Sequence, residues 1–170
     1  MSKSTIPEVF DDHTEEQTLT QEELLMSENE ILRGLLNLGR TQDDAENYRQ
    51  IKIERQGRLE LAFRIRPLSE DETHLCLRQA TRYAPAQPGR RKTALDMDVA
   101  KYHSYLIYTA TVDKDRAKIW DNREAQDALD VLQGVDMIDT VLLAGEKLRV
   151  IDIINEISGY KRKVEELAKN

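Results

Sequence analysis

The sequence predicts an α+β fold that is mostly α-helical, with one β-hairpin or small antiparallel sheet packed on about five helices. Apolar residues recur at helical spacing over most of the chain. The stretch 48–66 instead alternates apolar and polar residues on both sides of Gln56-Gly57. Because a two-stranded hairpin is not stable alone in water, we expect this one to pack on the helices.

Composition limits what the chain can do. It has 170 residues, of which 25 are Lys or Arg and 32 are Asp or Glu, so its formal net charge is −7. No apolar run reaches the roughly 18 residues that suggest a membrane span, and the N-terminus lacks the basic flank and apolar core of a secretory signal. The single cysteine, Cys76, has no second thiol for an internal disulfide. We therefore expect a cytosolic protein that does not enter a membrane.

Negative charge is concentrated at the front of the chain. Residues 1–30 hold nine acidic residues and one basic residue, a net charge of −8, which leaves +1 for the rest. Such segments are usually solvated and poorly ordered. We predict an acidic flexible arm with a short amphipathic helix at 1–40, and an α+β domain at 41–170. The arm is either a solubility tail or a segment that folds on a partner.

The arm contains a predicted helix at about 20–38. Thr20 and Glu23 form a capping box at its start, and Gly39 suits the position after its last turn. Residues 41–47 are polar and are predicted to be a linker. One broad face of the helix carries an apolar stripe that we consider a partner-binding candidate: Leu24, Leu25, Ile31, Leu32, Leu35 and Leu36.

The hairpin is predicted to have strands near 48–55 and 58–66, and Pro67 ends the second strand because it has no amide proton. Ser69-Glu70-Asp71-Glu72 is another capping box, which opens a helix to about Tyr83. Prolines and a glycine between 84 and 93 predict a loop.

The remainder of the chain is predicted to be helical. Asp96 and Asp98 favour the start of the next helix. Asp121-x-x-Glu124 is a cap-like pattern, and Ser158-Gly159 is expected to weaken or bend the last helix. The predicted helices cover residues 97–109, 121–134, 135–145 and 148–167.

The sequence lacks a recognisable catalytic or metal-binding pattern. His13, His74 and His103 have no neighbouring His or Cys at ligand spacing. His74 and Cys76 are two residues apart on one predicted helix, so they do not face each other, and Cys76 is expected to be a small buried residue. There is no glycine-rich phosphate loop. We therefore predict that the protein is not an enzyme and has no cofactor or metal.

Basic residues cluster around the predicted loop, and they leave an alternative function open. This alternative is a small nucleic-acid-binding regulator that uses the basic loop 78–92. The near-neutral domain and the 5% aromatic content argue against it. A salt-bridged surface, or a docking site for an acidic partner, is favoured. The cluster consists of Arg78, Arg82, Arg90, Arg91 and Lys92.

Aromatic residues form a second partner-binding candidate. Tyr102, Tyr105 and Tyr108 stand three residues apart on one predicted helix. Such a stripe is usually the edge of a core. Together with Trp120, Tyr102 and Tyr105 could instead form a protein-docking patch, because Tyr and Trp are favoured interface anchors.

Several junctions of the sequence resemble a known family. Ile65-Arg66-Pro67-Leu68-Ser69-Glu70-Asp71-Glu72, the segment from Val141 to Glu146 and the closing Ile157-Ser158-Gly159-Tyr160 are similar to junctions in the tail assembly chaperones of bacteriophages that infect Gram-positive hosts. Related prophages and phage-tail-like particles carry similar proteins. The resemblance covers roughly residues 20–165 and involves structural junctions, not catalytic motifs.

The resemblance implies a non-enzymatic role in viral tail morphogenesis. It implies that the protein binds the tape-measure protein, keeps it soluble and recruits tail-tube subunits. It implies a location in the cytoplasm of the bacterial host and absence from the mature virion. In that family a longer product often arises by ribosomal frameshifting, and Ala168-Lys169-Asn170 can be encoded with the slippery run A-AAA-AAC. Self-association is left open.

Overall fold

The computed structural model describes residues 21–40, 45–86 and 88–160, with side chains from residue 27 onward in the first range. The chain divides into two compact units, Met1–Gly39 and Arg40–Asn170. Helix α1 (Gln21–Arg40) begins and ends within two residues of its predicted bounds. Its predicted cap Thr20 and most of the predicted linker lie outside the described residues.

The predicted hairpin is confirmed. Strands β1 (Arg49–Arg55) and β2 (Arg58–Ile65) pair antiparallel, with Ile51 opposite Phe63. The two turn residues, Gln56 and Gly57, have φ angles of 52° and 76°. Positive φ at both positions matches the right-handed twist of a two-residue hairpin. Alternation then places Ile51, Ile53, Phe63 and Ile65 on one buried face, whereas Leu59, next to the turn, is exposed.

The described residues confirm the predicted α+β class. Helix α3 is central, since it packs against α2, α6 and α7, and α7 also contacts β1. The elements that follow the hairpin are α2 (Glu70–Ala80), β3 (Thr81–Tyr83), β4 (Ala94–Met97), α3 (Val99–Ala110), α4 (Asp113–Ile119), α5 (Arg123–Ala128), α6 (Gly134–Val141) and α7 (Ala144–Ile157).

Trp120 lies at the centre of the core and has no exposed surface. Its ring meets Phe63 of the hairpin edge to face, with the ring centroids 5.3 Å apart. Its indole N–H donates to Thr111 Oγ1 at 3.0 Å, and its carbonyl accepts from Gln126 Nε2 at 2.9 Å. The buried polar groups around the indole are therefore satisfied, as a dry core requires.

The segment between α3 and α4 extends the hairpin. Thr111 forms a β-bridge with Ile65. The Arg66 N–H donates to the Ala110 carbonyl at 2.8 Å, and the Val112 N–H donates to the Arg64 carbonyl at 2.9 Å. These bonds satisfy backbone groups at the end of β2 and hold the start of α4 beside the hairpin.

Two arginines of the hairpin and one directly after it each form an ion pair with a carboxylate in the first turn of a helix. A bidentate arginine–carboxylate pair is stronger and more directional than a single neutral hydrogen bond. A carboxylate in the first turn also interacts favourably with the helix dipole. The pairs are Arg55 with Glu146 of α7, Arg64 with Asp115 of α4, and Arg66 with Glu72 of α2.

The first two pairs tie both strands to helices. Arg55 Nε lies 3.0 Å from Glu146 Oε1 and Arg55 Nη2 lies 2.6 Å from Oε2, while Nη2 also donates to the Val141 carbonyl. Arg64 bonds Asp115 through Nε at 3.0 Å and Nη2 at 2.9 Å. The Arg64 backbone N–H donates to the same carboxylate at 2.8 Å. Strand ends and helix starts are thus fixed together.

The third pair is built into the predicted capping box of α2, which is confirmed. Ser69 Oγ accepts from the Glu72 N–H, and the Glu72 carboxylate accepts from the Ser69 N–H at 2.9 Å. Arg66 adds two bonds to Glu72, at 3.1 Å and 2.6 Å. The Arg66 guanidinium and the Ser69 N–H lower the pKa of Glu72.

The helix predicted to reach Tyr83 ends earlier, at Ala80. The next three residues form β3, which pairs with β4, with Thr81 opposite Met97. Strand β4 was not predicted; it directly follows the predicted loop and overlaps the next predicted helix at Met97. A hairpin with so long a connection lacks the short-turn signal that marked the first one. Helix α3 then begins at Val99, and Asp98 caps it as expected by accepting from the Lys101 N–H at 3.0 Å.

Two further helix predictions need correction. Helix α4 was not predicted; its residues follow the bridge that Thr111 makes with β2. The cap of α5 is Asn122, which accepts from the Ala125 N–H at 3.1 Å, and not Asp121. Asp121 accepts instead from the Tyr108 hydroxyl. Helix α5 ends at Ala128, whereas the sequence predicted a helix up to residue 134.

Glycines predicted to stop helices lie at helix starts instead. Gly134 is the first residue of α6, and Gly145 is the second residue of α7. Helix α7 ends at Ile157, and Gly159 has a φ of 87°, so Ser158-Gly159 ends this helix where a bend was expected. The predicted continuation of the helix to residue 167 lies outside the described residues.

The burial of Trp120 predicts a large loss of stability on truncation. Trp120→Ala should lower the free energy of unfolding by about 3–5 kcal/mol, because it leaves a cavity and removes a hydrogen bond in the core. Urea unfolding followed by circular dichroism measures this loss. Leu132→Ala is the control, because Leu132 is 89% exposed and should change stability little. An equally small effect at Trp120 would contradict the core assignment.

The arginine–carboxylate pairs predict acid sensitivity. Hydrogen bonds from Arg55 lower the pKa of Glu146 below its ordinary value of 4.5, and those from Arg64 lower the pKa of Asp115 below 3.8. As pH falls, these carboxylates are therefore protonated in the unfolded state at a higher pH than in the folded state. The stabilisation is complete above the ordinary pKa values and is lost as pH falls through the folded-state pKa values.

Arg55→Gln should remove the Glu146 contribution to this pH dependence. Urea unfolding at about pH 7 and about pH 4 should show a smaller difference in stability for the variant than for the wild type. Lys52→Gln, an exposed neutralisation on the same strand, is the matched control. Identical pH dependence of the wild type and Arg55→Gln would show that the pair does not govern acid stability.

Candidate partner-binding surfaces

The apolar stripe of α1 is exposed on the described part of that helix. Ile31, Leu32, Leu35 and Leu36 each expose half or more of their surface, and Leu38 extends the stripe with 70% exposure. Leu24 and Leu25 belong to the same helix, but their side chains lie outside those described. Large apolar side chains in one row on a helix are typical of a surface that meets another protein. Sequence reasoning missed Leu38, although its spacing of seven from Ile31 continues the stripe.

The predicted aromatic patch is divided by the fold. Tyr102 and Tyr105 are partly buried and pack against the core from α3, whereas Trp120 lies inside it. Burial raises the pKa of the Tyr102 hydroxyl. A partner can reach the two tyrosines in this conformation but cannot reach Trp120, which is therefore removed from the predicted surface.

Tyr105 and Tyr108 line an open groove of about 580 Å³ between α2, α3 and the start of α6. Leu75 and Leu132 lie on its walls, and Gly134 lies at one side. The Tyr108 hydroxyl donates to the Asp121 carboxylate at 2.9 Å, and burial together with this carboxylate raises the Tyr108 pKa. We call this surface the tyrosine groove; it combines aromatic and aliphatic walls with polar edges, as protein interfaces do.

The basic cluster lies on the last turn of α2, which carries Arg78, and on a second, smaller hairpin that follows it. Strands β3 and β4 form an arm whose pairing continues into the connection, where the Ala84 N–H donates to the Thr93 carbonyl at 2.9 Å. All five cations of the cluster are exposed, and none makes an ion pair or side-chain hydrogen bond with the described residues. The sequence placed these charges around a loop between residues 84 and 93, and the described residues of that segment do form the connection of the hairpin; the strand pairing on either side was not predicted.

A network of hydrogen bonds and ion pairs in the domain is centred on Asp139 and Lys147. Lys147 is 7% exposed and donates to Asp139 at 2.7 Å and to the Ala100 carbonyl at 3.1 Å. Ser104 and Lys101 also donate to Asp139. Burial raises the pKa of Asp139, but the bonds from Lys147, Ser104 and Lys101 outweigh it and hold the pKa below its usual range. The network joins α3, α6 and α7.

The surroundings of Cys76 disfavour a reactive thiol. Cys76 is buried and lies 3.4 Å from Thr109 Oγ1, and burial raises the pKa of its thiol, which disfavours the reactive thiolate. Nowhere in ranges 21–40, 45–86 and 88–160 do three or more His, Cys, Asp or Glu residues group as metal ligands do. No helix in these ranges is both long and apolar enough to span a membrane.

The described residues thus present an exposed apolar face on α1 and an open groove in the second unit. The model of the phage XkdN-like tail assembly chaperone family matches residues 32–170, so the chain belongs to this family. The match confirms the resemblance to tail assembly chaperones that the sequence junctions indicated, whereas the Gram-positive host stays a prediction. Neither the curated proteins nor the solved structures compared with the chain gave a match.

Family membership makes the protein a phage tail assembly chaperone, whose partners are tail proteins. The match begins at Leu32, inside α1. Leu32, Leu35 and Leu36 of the stripe therefore belong to the family region, whereas the acidic front of the chain precedes it.

Packing beside the tyrosine groove predicts opposite effects of alanine at Gly134 and Gly145, which lie at the starts of α6 and α7. A Cβ on Gly134 would clash with Asp121, lie 2.6 Å from Tyr108 Cε2 and lie 3.2 Å from the Trp120 carbonyl carbon. Gly134→Ala should therefore lower the free energy of unfolding by about 1–3 kcal/mol. Gly145→Ala meets no atom within 4 Å, and should raise stability by up to about 1 kcal/mol because alanine favours the helix.

Thermal and urea unfolding of both variants measures these opposite signs. If Gly134→Ala were as stable as Gly145→Ala, the close approach of α6 to the Tyr108–Asp121 pair would not hold.

Proposed function

We propose that this chaperone binds the tape-measure protein of a phage tail, keeps it soluble and recruits tail-tube subunits during tail morphogenesis. It acts in the cytoplasm of the bacterial host and is not part of the finished virion. Its role is to bind and release protein surfaces without catalysis. The observation that carries this proposal is the exposed apolar stripe on α1 in a member of a tail assembly chaperone family.

The stripe has the chemistry that a long, partly apolar helical client requires. Fully burying one leucine or isoleucine side chain contributes roughly 1.5–3 kcal/mol. Ile31, Leu32, Leu35 and Leu36 are half exposed or more, so their burial against a client can support binding by several side chains at once. An amphipathic helix that packs on an apolar surface is a recurrent mode of peptide recognition.

The negative charge before the stripe suits a soluble chaperone. Residues 1–30 carry a net charge of −8, and like charges on neighbouring molecules oppose association of their apolar surfaces. We propose that residues 1–40 form the client-binding arm and that residues 41–170 form the chaperone domain. A second copy of the chain is an alternative occupant of the stripe.

Tyr102 and Tyr105 form a proposed second contact for a tail protein. Both are partly exposed on α3, and tyrosine offers a large, rigid contact area together with a hydroxyl. Tail-tube recruitment requires a surface other than the stripe, and these tyrosines belong to the second unit of the chain.

Substitution of the stripe should abolish the chaperone effect and leave the domain folded. Leu32→Ser/Leu35→Ser should reduce the soluble yield of a co-expressed tape-measure protein, because it removes apolar area that the client buries. Leu59→Ser/Leu148→Ser is the matched control, since both residues are about half exposed in the second unit. Soluble and insoluble client is quantified after centrifugation.

Two further measurements complete this test. Size-exclusion chromatography of the protein alone separates client binding from self-association, because stripe-mediated oligomers would dissociate in the stripe variant. Removal of residues 1–40 should leave a domain that melts cooperatively. Equal client solubility with the stripe variant, the control variant and the wild type would refute binding through α1.

A further inference from the structure

The basic cluster concentrates five exposed cations between residues 78 and 92. None of the five makes an ion pair with the described residues. Single exposed cations elsewhere, such as Lys52, share this property, but they do not lie together in the sequence. The mutual repulsion of the five clustered cations is unfavourable in the free protein. An anionic partner would relieve it.

An apolar groove of about 690 Å³ lies at the root of the β3–β4 arm, between α2 and the paired strands. Leu77, Leu95 and Met97 line it, and Leu95 is 66% exposed. Arg78 lines the same groove. Apolar walls and unpaired positive charge therefore meet at one place, and each would attract a different part of a single ligand.

We propose that the arm and its groove bind an acidic segment of a partner protein. One or two apolar side chains of the segment enter the groove against Leu77 and Leu95. Its carboxylates pair with Arg78 and with the cations of the arm. Charge complementarity speeds encounter and selects the partner, while burial of the apolar side chains supplies affinity.

Two carboxylates favour a protein over a nucleic acid as the occupant. Asp71 and Asp96 line the groove with Arg78, and they repel any anionic group inside it. A phosphate backbone that followed the groove is therefore disfavoured, whereas a polypeptide can place apolar side chains in the groove and its carboxylates outside, on the arm. Tyr83 and His74 are the ring side chains among the groove residues, whereas single-stranded nucleic acids usually stack on several aromatic side chains.

This surface is distinct from the α1 stripe, so the inference goes beyond the proposed function and does not depend on it. A tail protein is one source of such a segment. The chemistry that the arm recognises is the same for any acidic protein segment with spaced apolar residues.

The test measures binding of the full-length protein to a fluorescent peptide of about 12 residues that combines glutamates with two leucines. Fluorescence anisotropy should show saturable binding at physiological salt. Arg78→Gln/Arg91→Gln and, separately, Leu95→Ser should each weaken binding by about tenfold. Replacing the leucines of the peptide with serine should weaken it similarly, because the apolar contact is lost.

Matched controls separate this site from general electrostatic attraction. Lys52→Gln/Lys114→Gln removes the same charge from other exposed positions, and Leu59→Ser removes an exposed leucine from β2. These variants should bind the peptide as the wild type does. The stripe variant Leu32→Ser/Leu35→Ser should also bind it normally, so failure of the client assay and failure of this assay are distinguishable.

Three results would overturn the inference. The first is absence of saturable peptide binding at physiological salt. The second is equal weakening by the control and arm variants. The third is tighter binding of a DNA duplex than of the peptide, with a steep salt dependence that Arg78→Gln/Arg91→Gln reduces, since this would make the arm a nucleic-acid interface. Unfolding midpoints close to that of the wild type ensure that the exposed substitutions report on binding.

Discussion

The second unit of the chain depends on the docking of a two-stranded hairpin that cannot be stable alone. Its apolar face enters the core, where Phe63 meets Trp120. Arg55 and Arg64 of its strands pair with the first turns of α7 and α4, and Arg66, directly after β2, pairs with the first turn of α2. Each bidentate pair orients a helix start relative to the hairpin, because the fork of the guanidinium sets the direction of approach. The hairpin is therefore bound to the starts of three helices.

Pairing of charges within the domain also indicates which parts of the surface remain available to partners. Charges at the helix starts and in the Lys147–Asp139 network are paired within the domain, so those regions gain little from an external partner. The α1 stripe exposes apolar area, and the basic cluster of α2 and the β3–β4 arm exposes cations that form no ion pair within the described part of the chain. Membership of a tail assembly chaperone family gives these open surfaces a biological context.

Predictions from the sequence succeeded where the structural signal was local. The Gln56-Gly57 turn, the alternation around it and the Ser69–Glu72 capping box each act within a few residues, and the structure confirms all three. The capping role of Asp98 has the same local origin. Local signals also identified α1, whose bounds agree within two residues.

Predictions were wrong where a distant partner decided the local structure. Thr81 leaves its helix to pair with Met97, and Thr111 bridges Ile65 across the domain. Neither pairing has a short-range signal in the sequence. Each closes a loop of the chain, and the entropy lost in doing so is offset by contacts between residues that are far apart in sequence. Trp120 was assigned wrongly for a related reason: tryptophan occurs both at interfaces and in cores, and only its neighbours in the fold decide between them.

The sequence by itself determined the α+β class, the first hairpin, the stripe on α1 and the position of the basic cluster, because periodicity and turn chemistry encode them. The tertiary structure decided which groups are exposed. Burial of Trp120 and pairing of Arg55 with Glu146 are results of three-dimensional packing. The sequence gives the type and the spacing of the side chains, whereas the neighbours of each side chain depend on how distant elements pack together.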